Sequence, residues 1–153
     1  MAPPNQKSSV DLSRMNGLDL MNAMIAGKIK PPPIADLLGF APVKATPGVV
    51  VFEGRPAAGA CNPMGSVHGG WYGAILDSAL GCALLTKLPA GTGYTTLEYK
   101  VNITRAIPVG TLVRATAQTS HVGRSTGVAD ARMIGVEDGK TYATGSTTCI
   151  IFN

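Results

Sequence analysis

The chain has 153 residues, a length that one domain fills with a real hydrophobic core and without metal or disulfide staples. Apolar residues make up 45% and charged residues 14%, a composition that excludes a disordered chain. The net charge of +4 is mild and no basic run exceeds one or two residues, which leaves a nucleic-acid-binding stripe without support and suits small anions such as phosphates.

Residues 1 to about 12 are polar and proline-containing and are expected to be mobile. Leu18 to Ile25 has apolar residues at helical spacing, with Gly27 and Pro31-Pro32-Pro33 to stop the helix. A further turn of helix is expected at Ile34 to Leu38, and residues 1–45 read as an arm on a main domain of residues 46–153. A strand follows at Gly48 to Glu53, then a loop rich in Gly, Pro and Asn from Arg55 to Gly70. A long apolar helix runs from Trp71 to about Lys87, stopped by Pro89 and Gly91.

Beyond Gly93 the period of the apolar residues changes from 3.6 to 2. In Tyr94 to Thr104, Leu97, Tyr99, Val101 and Ile103 are expected on one face, and Thr96, Glu98, Lys100, Asn102 and Thr104 on the other. Three more strands are expected at Leu112 to His121, Ser125 to Gly135 and Tyr142 to Phe152, with turns at Gly123 and Asp138-Gly139. Short connections between these strands imply antiparallel pairing, so the fold class is α+β: a curled antiparallel sheet around one long central helix, with an N-terminal helical extension.

Cys61, Cys82 and Cys149 are odd in number and widely spaced, which argues against a disulfide framework. With no CxxC and with His68 and His121 far apart, no metal site is expected. The sequence offers neither a secretory leader nor an apolar run of about 18 residues, so the expectation is a cytoplasmic, reduced protein with no membrane partner.

Asp77 is the anomaly. Its helix is apolar nearly all round, and its neighbours one turn away, Gly73, Ala74, Leu80 and Gly81, cannot pair with a carboxylate. A buried, unpaired carboxylate is costly and points to function; the alternative is that donors from another backbone satisfy it and it only fixes the fold. His68-Gly69-Gly70 stands at the start of the same helix, where free N–H groups and a partial positive charge favour a carbonyl oxygen. A polarised carbonyl with a carboxylate two turns further on suits acyl transfer. There is no GxSxG elbow, no GxGxxG and no phosphate-binding loop. A Cys61–His68 nucleophile is a weaker alternative.

The run Asn62-Pro63-Met64-Gly65-Ser66-Val67-His68-Gly69-Gly70 with Asp77 in the helix resembles the hotdog-fold thioesterases of the phenylacetate-degradation type. The strand Thr95 to Asn102, the corner Arg105 to Pro108, the run His121-Val122-Gly123-Arg124-Ser125 and the closing segment Asp138 to Thr148 are similar as well. The resemblance implies hydrolysis of an acyl-CoA thioester, of small aromatic or medium-chain acyl groups. It makes Asp77 the catalytic carboxylate, nucleophile or general base, and gives Gly69 the backbone N–H that polarises the carbonyl. Asn62 and His68 would position the reacting groups. Gly70, Thr95, Thr96, Arg105, Arg124 and Ser125 would meet substrate or coenzyme A. No cofactor is implied, since coenzyme A is part of the substrate.

In the family Asp77 faces Asn62, His68 and Gly69 of a neighbouring subunit, which implies a homodimer with shared sites, often a dimer of dimers. Relatives place a Ser or Thr hydroxyl near the carboxylate; here Glu98 aligns with one such position and Thr96 is the substitute. A hydratase or dehydratase on the same fold and a non-catalytic acyl-CoA binder are the competing readings.

Overall fold

The computed structural model describes residues 11–153, so the expectation of a mobile polar N-terminus falls almost wholly outside the described residues. A 3-10 turn, Leu12–Arg14, leads into helix α1, Gly17–Ile25, and helix α2, Pro33–Leu38. Helix α1 begins where the Asn16 side chain accepts the Asp19 N–H at 2.8 Å, satisfying one of the free donors of a first turn. The proline run that ends the helical pattern also supplies Pro33 to open α2, a position that needs no N–H.

Strands β1 (Phe40–Thr46) and β2 (Val49–Gly54) form a hairpin, and the long helix α3 follows at Gly69–Leu85. Four strands then complete the chain: β3 (Gly93–Ile103), β4 (Val113–Val122), β5 (Thr126–Gly135) and β6 (Thr141–Phe152). They make one six-stranded sheet in the order β1-β2-β4-β5-β6-β3, antiparallel at every step. Helix α3 lies across its inner face against all six strands. This is the hotdog architecture.

The core is the apolar helix and the inward side chains of the sheet. Ile75, Leu76, Ala79, Leu80, Ala83 and Leu84 are fully buried, against Val50, Val113, Ala115, Ala117, Ala129, Met133 and Cys149. Small strand residues opposite large helix residues let the sheet curl closely around the helix. Met21 of α1 is also fully buried, and the Gly17 N–H donates to the Leu88 carbonyl at 3.1 Å, so the arm is docked on the helix's C-terminal end.

Strand β1 is absent from the sequence reading. Its sequence, Phe-Ala-Pro-Val-Lys-Ala-Thr, contains Pro42, which reads against a strand. The sheet accommodates it because β1 is an edge strand and its register breaks between Pro42 and Lys44. The expected division between residues 45 and 46 therefore falls inside an element that belongs to the sheet.

The alternation expected in β3 holds for Tyr99, Val101 and Ile103 and fails at Leu97. Thr96 pairs with Cys149 and Glu98 with Thr148, so Leu97 is an extra residue, a β-bulge. The bulge reverses the parity. Leu97 is 59% exposed, and Thr96 and Tyr94 turn toward the helix instead.

Candidate active site

Helix α3 carries Gly69, Gly73, Asp77 and Gly81 at intervals of four, a single stripe nearly devoid of side chains. Strand β3 packs along it. An added Cβ at Gly69 would lie 3.4 Å from Ile103 Cδ1, at Gly73 3.0 Å from the Tyr99 hydroxyl, and at Gly81 2.7 Å from the Tyr94 hydroxyl. Asp77 is the one member of the stripe with a side chain, and Thr96 of β3 donates its hydroxyl to Asp77 Oδ1 at 2.9 Å.

The expected buried and unpaired carboxylate is therefore corrected. Asp77 is half-buried and accepts a hydrogen bond from across the sheet, a partner that neighbours on its own helix could not reveal. The bulge is what aims Thr96, while Glu98 is exposed on the other face. The hydroxyl that lies beside the carboxylate is that of Thr96, not a group at Glu98.

Asp77 and Thr96 open onto a cavity of about 180 Å³. The arm contributes Met24, Pro32 and Ile34 to its wall. Phe40, Phe52, Cys82 and Tyr94 complete the apolar lining. Trp71 and Tyr72 are not part of this lining and serve the fold. Trp71 Nε1 donates to the Leu38 carbonyl at 2.8 Å, and the Tyr72 hydroxyl donates to the Arg105 carbonyl at 3.0 Å while accepting the Ile107 N–H at 2.8 Å.

The thiols nearby are unsuited to nucleophilic work. Burial pushes the Cys82 thiol up to about 12, with the Asp77 charge adding to the effect and a hydrogen bond with Tyr94 opposing it. Burial also raises Cys149 and Tyr94. Cys61 forms an isolated bridge with Val67, and the ring of His68 is engaged elsewhere, so the structure offers no Cys61–His68 hydrogen bond among the described residues.

The second cluster is the loop before α3. Asn62 accepts the Met64 and Ser66 N–H groups at 3.0 and 3.1 Å through its side-chain oxygen, which folds the loop into a tight turn completed by Gly65 at φ 80°. His68 caps the helix: its Nδ1 accepts the Gly70 N–H at 2.8 Å, which places the proton of the neutral ring on Nε2. The Trp71 N–H goes to the His68 carbonyl at 2.9 Å. The N–H of Gly69, the first helical residue, has no acceptor among the described residues.

Asn62, His68, Gly69 and Gly70 are thus together, but not with Asp77 of the same chain. Eight residues of helix separate Gly69 from Asp77, about 12 Å of rise. Of the remaining expected residues, Thr95 faces away from α3 beside Ile150, and Arg124 and Ser125 form the β4–β5 turn at that end of β3. Arg105 follows the other end of β3, and the length of that strand, roughly 30 Å, lies between the two arginines. Among the described residues no group of three His, Cys, Asp or Glu could hold a metal ion, and no helix is long and apolar enough to cross a membrane.

The chain belongs to the thioesterase superfamily, whose sequence profile matches residues 64–142, from the loop before α3 into β6. Its solved relatives include a conserved protein of Pseudomonas aeruginosa, 30% identical, with a TM-score of 0.74 over 80% of this chain and 95% of that one. A Ralstonia eutropha protein described as a thioesterase related to phenylacetic acid degradation is 26% identical, with a TM-score of 0.77 over 85% of this chain and 98% of its own. A Streptococcus pneumoniae thioesterase solved with coenzyme A is 22% identical, with a TM-score of 0.68 over 75% of this chain and 87% of that one. The resemblance to hotdog thioesterases of the phenylacetate-degradation type is borne out. No protein of curated function matches the sequence.

Proposed function

We propose that this protein hydrolyses acyl-CoA thioesters, with Asp77 as nucleophile or general base and acyl groups of about ring size as substrates. The observation that carries this reading is the Asp77–Thr96 pair in the wall of a largely apolar cavity of about 180 Å³. A cavity of about 150 Å³ takes up benzene, so an aryl or medium-chain acyl group fits the space. Thr96 holds one oxygen of the carboxylate and leaves the other for water or the thioester carbon. The Streptococcus pneumoniae relative bound to coenzyme A supports the carrier.

In this reading the carbonyl is polarised by Gly69 of the partner subunit, because the chain's own Gly69 is about 12 Å along the helix from Asp77. Asp77 lies beside Thr96, and Gly69 beside Ile103, on the same strand. Two copies of β3 paired antiparallel about a centre near Tyr99 would bring each subunit's Gly69 to the other's Asp77. The same pairing would bring Arg105 toward the Arg124 and Ser125 end of the other subunit, where both arginines can serve the coenzyme A phosphates. Asn62 and His68 act as the scaffold that presents the Gly69 N–H. No cofactor enters the reaction.

The test is release of free thiol from a panel of acyl-CoAs. The Asp77→Asn variant is expected to lose at least about 100-fold in kcat with KM little changed. A variant that turns over like wild type removes Asp77 from the mechanism, and a wild type that binds acyl-CoA without cleaving it establishes a binding module instead.

A further inference from the structure

The bulge that turns Thr96 toward Asp77 is held from behind. Thr147 of β6 is 1% exposed, and its hydroxyl donates to the Glu98 carbonyl at 2.7 Å, at the residue that closes the bulge. Next to it on the same face, the Cys149 thiol lies 3.9 Å from the Thr147 hydroxyl and 3.9 Å from that of Thr96, to which it donates. The polar path thus runs from Thr147 to the bulge carbonyl, and through Cys149 to Thr96 and Asp77. A threonine is an expensive choice for so apolar an inner face unless its hydroxyl is used. Valine would fill the same volume.

We propose that Thr147 is a positioning residue, which pins the Leu97 bulge so that the Thr96 hydroxyl stays on Asp77. The inference rests on the hydrolase reading for its kinetic consequence and on geometry alone for its structural one. A bulge adds a residue without fixing where its backbone settles, and a carbonyl anchored to a buried side chain removes that freedom. Thr147 neither bonds to Asp77 nor lines the cavity, so its effect must pass through Thr96.

A double-mutant cycle separates this role from general support of the fold. Thr147→Val is expected to lower kcat about tenfold with KM nearly constant, and Thr96→Val is expected to do the same. In the Thr96→Val background it is expected to add nothing, and Thr147→Ser is expected to restore wild-type kcat. Independent multiplication of the two effects, or a Thr147→Val enzyme with normal kcat, would overturn the proposal. If Thr147→Val does not fold, Thr147→Cys replaces it in the cycle, with a weaker donor in a similar volume. A crystal structure of the variant reads the Thr96–Asp77 contact without reference to activity. An unchanged 2.9 Å contact there overturns the positioning role. A wild type inert toward every acyl-CoA overturns the hydrolase reading and leaves the structural arm intact.

Discussion

Gly69 allows a backbone donor to be removed cleanly. His68 has φ −64° and ψ 139°, the conformation that a following proline requires, and Gly69 is the first residue of α3, where proline is tolerated. Gly69→Pro is therefore expected to leave the fold and melting temperature close to wild type while deleting an N–H that has no acceptor among the described residues. If that N–H polarises the thioester, kcat falls by roughly 100-fold or more. Normal turnover in a folded Gly69→Pro protein would assign the carbonyl to another donor. Asp77 and the glycine stripe were legible in the sequence as an anomaly, because a carboxylate among apolar helix neighbours violates patterning. Thr96 was not. Its facing depends on a single extra residue in β3, and a regular alternation puts Leu97 in its place.

At the scale of elements, the arm acts as a wall. Met24 and Ile34 reach the cavity because Met21 and Gly17 dock α1 on the end of α3. A Met24→Trp substitution fills space that is open in the folded protein, so it is expected to leave stability unchanged within about 0.5 kcal/mol. Its effect belongs to specificity: turnover of ring-sized acyl groups should fall while that of short ones persists. An unaltered preference across the acyl-CoA panel would detach the arm from the pocket. Helices α1, α2 and α3 and strands β2 to β6 were all readable, since period, caps and turn residues agree in each. Strand β1 was not, because Pro42 is a strand-breaking signal whose cost vanishes only at a sheet edge, and edge position is a property of the assembled sheet.

The β5–β6 turn carries a pH-dependent element. Asp138 accepts the Lys140 N–H at 3.0 Å and the Tyr142 hydroxyl at 2.8 Å, and these bonds, the backbone one foremost, hold its carboxyl below the ordinary carboxylate range. Its folded value is thus lower than its unfolded one. The contribution is full above ordinary carboxylate titration and is lost as pH falls through the folded value. Asp138→Asn is expected to flatten the acid limb of a stability-against-pH curve; an identical limb in the variant would show that the turn does not titrate.

For the whole molecule, the separation of Gly69 from Asp77 makes a prediction about mixing. Asp77→Asn and Gly69→Pro subunits are each expected to be nearly inactive alone. Refolded together, they are expected to form hybrid dimers in which one of the two sites draws both groups from unaltered positions. Random pairing gives about a quarter of wild-type activity per subunit. A site built within one chain would regain none.

The two edges of the sheet are unlike. At β1, Pro42 withholds a donor and the break beside it interrupts the ladder. At β3, the strand is long and carries exposed Leu97, Tyr99 and Ile103. A sheet with one blunted margin and one adhesive margin can be extended only once. A second copy pairing there would have to use the same margin, and in doing so would use up the surface on which a third could grow. What looks like an aggregation hazard in an isolated chain is in this arrangement a stopping rule, which favours a finite pair over a fibre.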